Sequence, residues 1–148
     1  MDNLTPEVRS RTMASVKSKN TKPEKAVRSE LHNLGLRFSL HDRNLPGAPD
    51  IVFRKAKVAV QVRGCFWHSH KCKRTKPPAS SKKYWLPKLE ATKKRDDRND
   101  RLLRKYGWKV LVVWECKIGT QSELHHEVRR IAAAIRRRSG NNKETKLT

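Results

Sequence analysis

The chain has 148 residues, of which 35% are hydrophobic and 34% are charged. This length and composition allow one domain with a modest core and leave too little chain for two. Lys and Arg number 36 against 14 Asp and Glu, so the formal net charge is +22, which favours a polyanionic partner such as nucleic acid.

A membrane location is disfavoured by the sequence. No apolar stretch approaches the length of a transmembrane helix, and the basic stretches are too interrupted for a membrane-surface helix. The N-terminus lacks the apolar core of a signal peptide. We therefore expect a cytoplasmic, nucleoid-associated protein, in which the three cysteines are reduced and are better interpreted as metal ligands than as a disulfide.

The first half of the chain begins with a basic segment, residues 1–20, that predicts a flexible arm. The pattern Thr21-Lys22-Pro23-Glu24 is a capping box with Pro in the first turn, and it predicts a helix that ends near Gly35. The apolar face of this helix would consist of Val27, Leu31 and Leu34. Alternation over 36–40 predicts a strand.

The residues of segment 44–49 are typical of a turn, and a strand over 50–53 that begins with Asp50 is predicted to follow it. A further strand is predicted over 58–62. It leads into a segment, 64–72, that contains cysteine, histidine and aromatic residues.

The second half is expected to contain a charged helix over 84–106, a very apolar strand over 108–114 and a last helix. The apolar face of that helix is formed by Leu124, Val128, Ile131, Ala132 and Ile135. Residues 139–148 are predicted to be a disordered tail, which leaves a single domain over 21–138. This order of elements predicts an α/β fold in which a sheet is flanked by helices.

Four residues could form a zinc site. Cys65, His70 and Cys72 lie close together in the sequence, and Cys116 follows the apolar strand. Thiolate and imidazole are the ligands that tetrahedral structural zinc prefers, and a closed set of four would have no open position for catalysis. Alternatively, the cysteines are ordinary buried thiols and the histidines face the solvent.

A second cluster could hold a catalytic metal. Asp50 begins one strand, and Gln61-Val62-Arg63 ends the next, which is the layout of a PD-(D/E)xK nuclease. Hydrolysis of a phosphodiester needs a hard cation, carboxylate oxygens that hold it and a group that activates water. Because Pro-Asp is also common in turns, Asp50 alone does not decide between a metal ligand and a turn residue.

Several motifs extend this interpretation. They are Leu45-Pro46-Gly47-x-Pro49-Asp50, Gly64-Cys65-Phe66-Trp67-His68, Tyr84-Trp85, Arg95-Asp96 and Gly107-Trp108-x-Val110-Leu111-x-Val113-Trp114-Glu115-Cys116. Together, and in this order from about Arg9 to Cys116, they closely resemble the very-short-patch-repair (Vsr) endonucleases.

The resemblance implies a restriction-endonuclease-like fold with a mixed sheet, a structural zinc and Mg²⁺-dependent nicking of DNA at the thymine of a T·G mismatch. Asp50 matches the family's metal-binding aspartate, and the carbonyl of Val62 would be a second Mg²⁺ ligand. His68 matches the catalytic histidine, as a general acid/base or as a group that orients water. Glu24 matches a glutamate that contacts this histidine, and Asp96 matches another carboxylate of the active region.

The resemblance also assigns zinc ligands and residues that contact bases. The zinc ligands would be Cys65, His70, Cys72 and Cys116. Residues that insert into the base stack would be Met13, Phe66, Trp67 and Trp85, which is physically sensible because mismatched steps cost less to unstack. Other interpretations remain open. Glu24 would only cap its helix, Asp96 would lie on a solvated face, or Phe66 and Trp67 would cover the zinc site.

The chain departs from the family at Arg63, where His or Asp is usual, and it has Gln61 at the acidic position of the broader nuclease pattern. Arginine is a permanent cation that cannot act as a base. We therefore expect Arg63 to hold the phosphate electrostatically and His68 to carry proton transfer alone. The alternative is that Arg63 points away and pairs with an Asp or a Glu.

Three other functions fit parts of the sequence. They are a non-catalytic zinc-containing DNA-binding protein, a Vsr-like nickase without a mismatch requirement, and an RNA-associated protein. Asp50, His68 and Glu24 together favour the enzyme, since a binding module needs none of them. We expect a monomer that acts on double-stranded DNA, with other mismatch-repair proteins as candidate partners.

Overall fold

The computed structural model describes residues 20–65, 68 and 82–147. Its helices are α1 (Lys22–Asn33), α2 (Lys82–Lys105) and α3 (Gln121–Leu147). Its strands are β1 (Ser39–Leu40), β2 (Ile51–Phe53), β3 (Val58–Arg63) and β4 (Lys109–Trp114), and a short 3-10 helix, Glu115–Lys117, follows β4. The expectation of a mixed α/β sheet with flanking helices is confirmed.

The four strands form one mixed sheet in the order β1-β2-β3-β4. β1 and β2 are antiparallel, as are β2 and β3, whereas β3 and β4 are parallel and are connected through α2. In the register, Ile51 lies opposite Val60, and Arg63 lies opposite Trp114. The start of β2 therefore lies beside the end of β3, and β3 and β4 end side by side.

Alternate side chains of a strand point to opposite sides of the sheet. Those of the central strands are buried on both sides, because each face is covered by helices. Val60 and Val113 pack in the larger core with α1 and α3, whereas Ala59 and Val110 pack in a smaller core with Leu103 of α2. The sheet is thus a middle layer, with α1 and α3 on one side and α2 on the other.

Helix α1 forms the Thr21 half of the predicted capping box. The Thr21 hydroxyl accepts a hydrogen bond from the backbone N–H of Glu24 (3.3 Å), which satisfies one N–H at the start of the helix. Val27 and Leu31 are fully buried, as predicted. Leu34 is not part of this face, because it lies one residue beyond the helix and is 55% exposed.

Some predicted boundaries differ from the structure. The strand expected over 36–40 is reduced to Ser39–Leu40, an exposed edge strand. Helix α3 continues to Leu147, into the segment 139–148 that was expected to be a disordered tail. The apolar face of α3 is confirmed at Leu124, Val128, Ile131 and Ala132, while Ile135 is partly buried.

The predicted arm lies outside the described residues except for Asn20. Among the described helices, none has the length and apolar composition that crossing a membrane requires.

Candidate active site and metal centre

Asp50 lies where β2 begins, against the end of β3. Its backbone N–H donates to the side-chain Oε1 of Gln61 (3.4 Å), and its carboxylate Oδ2 accepts a hydrogen bond from the backbone N–H of Val62 (2.8 Å). The contact with Gln61 holds the backbone of Asp50, and the contact with Val62 fixes the direction of its carboxylate. Gln61, which stands where the nuclease pattern has an acid, therefore helps to position Asp50.

The turn before Asp50 needs glycine at position 47. Gly47 has a φ of +76°, a conformation that side chains disfavour. A Cβ there would also lie 2.9 Å from the Nδ2 atom of Asn99 on α2. This close approach packs the turn against α2 and so places Asp50 at the end of the sheet.

Glu24 is a carboxylate with only 1% of its surface exposed. Its Oε2 contacts Nε2 of His41 (3.0 Å) and Nη1 of Arg28 (3.0 Å). His41 is held beside Asp50 because its backbone N–H donates to the carbonyl of Asp50 (3.2 Å). The potential ligand atoms of Glu24, His41 and Asp50 all lie within 4.8 Å of one another, so this group fits a divalent cation.

The electrostatics of Asp50 also favour a cation. Burial raises the pKa of this carboxyl from 3.8 to about 7. The hydrogen bond from Val62 lowers the pKa, the negative charge of Glu24 raises it, and Arg63 and Asp96 make smaller opposing contributions. A bound cation would stabilise the ionised form that burial disfavours.

His68 is half-buried and pairs with Asp96 of α2. Its Nδ1 lies 2.5 Å from the Asp96 Oδ2, and its ring stands edge-on to Trp114, with the ring centroids 6.5 Å apart. The contact between Glu24 and His68 that the resemblance implies is wrong, since Glu24 contacts His41 and Arg28 instead. The physical reason is that α1 and α2 lie on opposite faces of the sheet, and His68 faces α2.

Arg63 ends β3 and is buried. Its Nη2 donates to Oδ1 of Asp100 (2.8 Å), and its Nε lies 3.9 Å from Oδ2 of Asp96. These contacts are those of the alternative interpretation, in which Arg63 pairs with a carboxylate. The guanidinium expected to hold phosphate is occupied by the carboxylates of α2.

The predicted zinc ligands are only partly within the described residues. Cys65 is buried and Cys116 is half-buried. Each lies two positions beyond the paired residues Arg63 and Trp114, so the two cysteines follow adjacent ends of parallel strands. His70 and Cys72 lie outside the described residues, as do Met13, Phe66 and Trp67. Trp85 lies in the first turn of α2.

Two residues of this site are absent from the sequence-based prediction. His41 gives no local signal, because only the antiparallel pairing of β1 with β2 brings it beside Asp50. Asp100 does give a signal: it follows Asp96 by four residues, and residues four apart share a helix face. The spacing does not show which face of α2 is turned inward.

A basic α/β domain with clustered carboxylates and a paired histidine at one edge of its sheet is typical of a metal-dependent nuclease. Comparison with known proteins narrows this class. Residues 1–74 match the model of the DNA mismatch endonuclease Vsr family.

Individual relatives agree with that match. The chain is 48% identical over 130 residues to the type II nicking enzyme V.XorIIP of Xanthomonas oryzae pv. oryzae, covering 88% of this chain and 96% of that protein. It is 38% identical over 119 residues to the DNA mismatch endonuclease Vsr of Escherichia coli, covering 80% of this chain and 76% of the relative. The chain belongs to the Vsr family of DNA endonucleases.

Proposed function

We propose that this protein is a Mg²⁺-dependent endonuclease that nicks double-stranded DNA at or next to a T·G mismatch in very-short-patch repair. The main support is the buried Asp50 carboxylate, whose ligand atom lies within 4.8 Å of those of Glu24 and His41. A domain that only bound DNA would have no use for this cluster at the end of the sheet. Its fold would be of the PD-(D/E)xK type, with Pro49-Asp50 as the first pair of that pattern.

Asp50 would hold the magnesium ion together with the carbonyl of Val62, and Glu24 and His41 are close enough to contribute ligands. When bound, the cation would polarise the scissile phosphate. Asp50 is fixed for this role by its hydrogen bond from Val62, and Glu24 is fixed by Arg28 and His41.

His68 would transfer the proton. Since its Nδ1 faces the carboxylate of Asp96 (2.5 Å), the tautomer with hydrogen on Nδ1 is favoured, and Nε2 is available to accept or donate a proton at the phosphate. Asp96 would orient the ring. The basic surface, with a net charge of +22, would bind the DNA backbone.

A structural zinc would join the loop after β3 to the end of β4. Cys65 and Cys116 already follow neighbouring strand ends, and His70 and Cys72 would complete a tetrahedral set. Met13, Phe66, Trp67 and Trp85 would insert between bases at the mismatch.

A second candidate is a nickase without a mismatch requirement. It is favoured by the names of two relatives, the type II nicking enzymes V.XorIIP and V.NmeAIP, which mention no mismatch. The two functions differ only in the substrate that is cleaved.

The test is incubation with Mg²⁺ and labelled duplexes that differ in a single T·G pair. We expect one strand of the mismatched duplex to be nicked and the matched duplex to be cut far more slowly. Asp50→Asn should abolish nicking with little change in DNA affinity, and His68→Ala should lose roughly 10²-fold or more in rate, as for other acid–base groups.

Asp97→Asn is the matched control, because Asp97 is an exposed carboxylate next to Asp96 and should leave the rate unchanged. Equal cleavage of both duplexes would favour the second candidate. Nicking by Asp50→Asn would overturn the proposed site.

A further inference from the structure

The buried Arg63–Asp100 ion pair keeps Asp96 available for His68: we propose that Asp100 is a positioning residue, which holds the Arg63 guanidinium away from the carboxylate that orients the catalytic histidine. The inference deepens the proposed function and rests on the role assigned there to His68. It concerns Asp100, a residue that touches neither DNA nor the cation in that proposal.

The first observation is the depth of the pair. The side chains of Arg63 and Asp100 are only 9% and 8% exposed, and Nη2 of the arginine lies 2.8 Å from Oδ1 of the aspartate. Removing two charges from water is costly, and apolar residues of similar size often stabilise a fold as well as a buried ion pair does. Stability alone therefore gives a weak reason for this pair.

The second observation is that one guanidinium faces two carboxylates. Asp96 and Asp100 are one helical turn apart on α2, so they lie on the same face. Arg63 donates to Asp100 at 2.8 Å, whereas its Nε is 3.9 Å from Oδ2 of Asp96. The hydrogen bond is thus made with Asp100, and Asp96 is left just outside hydrogen-bond distance.

The third observation identifies what Asp96 does instead. The Oδ2 atom that lies 3.9 Å from Arg63 is the same atom that lies 2.5 Å from Nδ1 of His68. Arginine and histidine are therefore directed at the same oxygen of Asp96, and a closer bond from Arg63 would come at the expense of the bond to His68. Without the carboxylate of Asp100, Arg63 would lower its energy by forming a closer, charge-assisted bond with Asp96. That shift would draw Asp96 away from the histidine.

The competition also explains how an arginine is accommodated at this position. A buried cation next to the His68–Asp96 pair would disrupt it unless a second carboxylate neutralised the cation. Asp100 supplies this carboxylate from the inward face of α2. Arg63 and Asp100 should therefore depend on each other, and a change to Asp100 should be harmful only while Arg63 is present.

The experiment compares Asp100→Asn with the double variant Arg63→Met/Asp100→Leu in the full-length protein. Rates of nicking are measured on the T·G duplex with saturating Mg²⁺ at pH 8.5, where Asp50 is ionised, and well below each melting temperature. We expect Asp100→Asn to lower kcat roughly tenfold or more with little change in KM, since the acid–base group would be misaligned. The double variant should recover to within a few-fold of the wild type.

A second measurement does not depend on activity. The Nδ1 proton of His68 should give a downfield NMR resonance in the wild type and in the double variant, and this resonance should be lost or shifted upfield in Asp100→Asn. Asp97→Asn is the control, because Asp97 is an exposed carboxylate on the same helix as Asp100. It should change neither the rate nor the resonance.

Full activity of Asp100→Asn, or a folded double variant as slow as Asp100→Asn, would overturn the proposal. If Asp100→Asn does not fold, the double variant alone tests the proposal. A near-wild-type rate in the double variant would support it, whereas a large loss of rate would mean that Arg63 itself is needed and would overturn it. The His68→Ala variant separates the two levels of inference. Retained nicking in that variant would contradict the role of His68, whereas a loss there together with an unaffected Asp100→Asn would contradict only the role of Asp100.

Discussion

Glu24 shows how one residue serves two structural roles. Its backbone N–H donates to the Thr21 hydroxyl at the start of α1, while its carboxylate contacts His41 and Arg28. The capping interaction uses the main chain and the site uses the side chain, so the two roles do not compete. Thr21 therefore caps α1 through the Glu24 backbone, and the Glu24 carboxylate remains in contact with His41 and Arg28 at the candidate site.

Asp50 combines burial with a charge that the proposed function requires, and this combination should cost stability. Burial raises the pKa of the folded protein's Asp50 from 3.8 to about 7. Because the unfolded chain binds this proton more weakly, the ionised carboxylate destabilises the fold. The penalty is fully present above pH 7, decreases as the pH falls below 7, and disappears near the ordinary pKa.

We therefore expect Asp50→Asn to be more stable than the wild type at pH 8 in the absence of divalent cations, by about 2–4 kcal/mol from the size of the pKa change. The difference should shrink towards pH 4. Chemical denaturation across this pH range measures it. Asp97→Asn, at an exposed position on α2, should show no such trend. A wild type as stable as Asp50→Asn at pH 8 would contradict the prediction, because it would mean that neighbouring groups already offset the cost of burying the Asp50 charge.

At the scale of elements, the parallel pair β3 and β4 organises the site. Arg63 and Trp114 are opposite each other at the ends of these strands, and both cysteines of the described chain follow within two residues. His68, which stands edge-on to Trp114, belongs to the segment after β3. A link between the two strand ends would therefore fix the position of the histidine as well as the strands.

The proposed zinc would be that link, and removing a ligand should affect folding as well as metal content. Elemental analysis should give about one zinc per chain, and Cys72→Ser should lose zinc together with cooperative unfolding, because a structural site contributes folding free energy directly. His125→Gln, at an exposed position of α3, should keep both. A fully folded wild type without zinc would contradict the proposal.

At the scale of the whole molecule, the net charge of +22 is accompanied by a local concentration of basic side chains on one helix. Exposed basic side chains follow one another along α2, at Lys93, Lys94, Arg95, Arg98, Arg101, Arg104 and Lys105. The same helix turns Asp96 and Asp100 inward. Helix α2 therefore has a basic outer face directly behind the groups that hold His68.

We expect the outer face of α2 to contribute phosphate contacts, so that DNA affinity falls steeply with salt. Each phosphate contact should add about 0.9 to the slope of log K against log salt concentration. Arg98→Ala/Arg101→Ala should reduce the slope by up to about 2 and lower affinity for matched and mismatched duplexes alike. Fluorescence anisotropy at several salt concentrations measures this. Lys25→Ala, an exposed residue of α1, is the control. An unchanged slope in the α2 variant would place the DNA elsewhere.

The sequence by itself determined the local structure and much of the site. Thr21 and Glu24 mark the start of α1, and nearly continuous apolar runs mark β3 and β4. Asp50, His68 and Asp96 are recognisable from their motifs. These features depend on neighbours within a few positions, so a linear pattern is enough to predict them.

Only the tertiary structure decided which side chains meet. Glu24 contacts His41 rather than His68 because α1 lies on the face of the sheet opposite α2, and His41 reaches Asp50 through strand pairing. Arg63 meets Asp100 across a separation of 37 residues. Contacts of this kind depend on the order of strands in the sheet and on the inward face of each helix, and local periodicity determines neither.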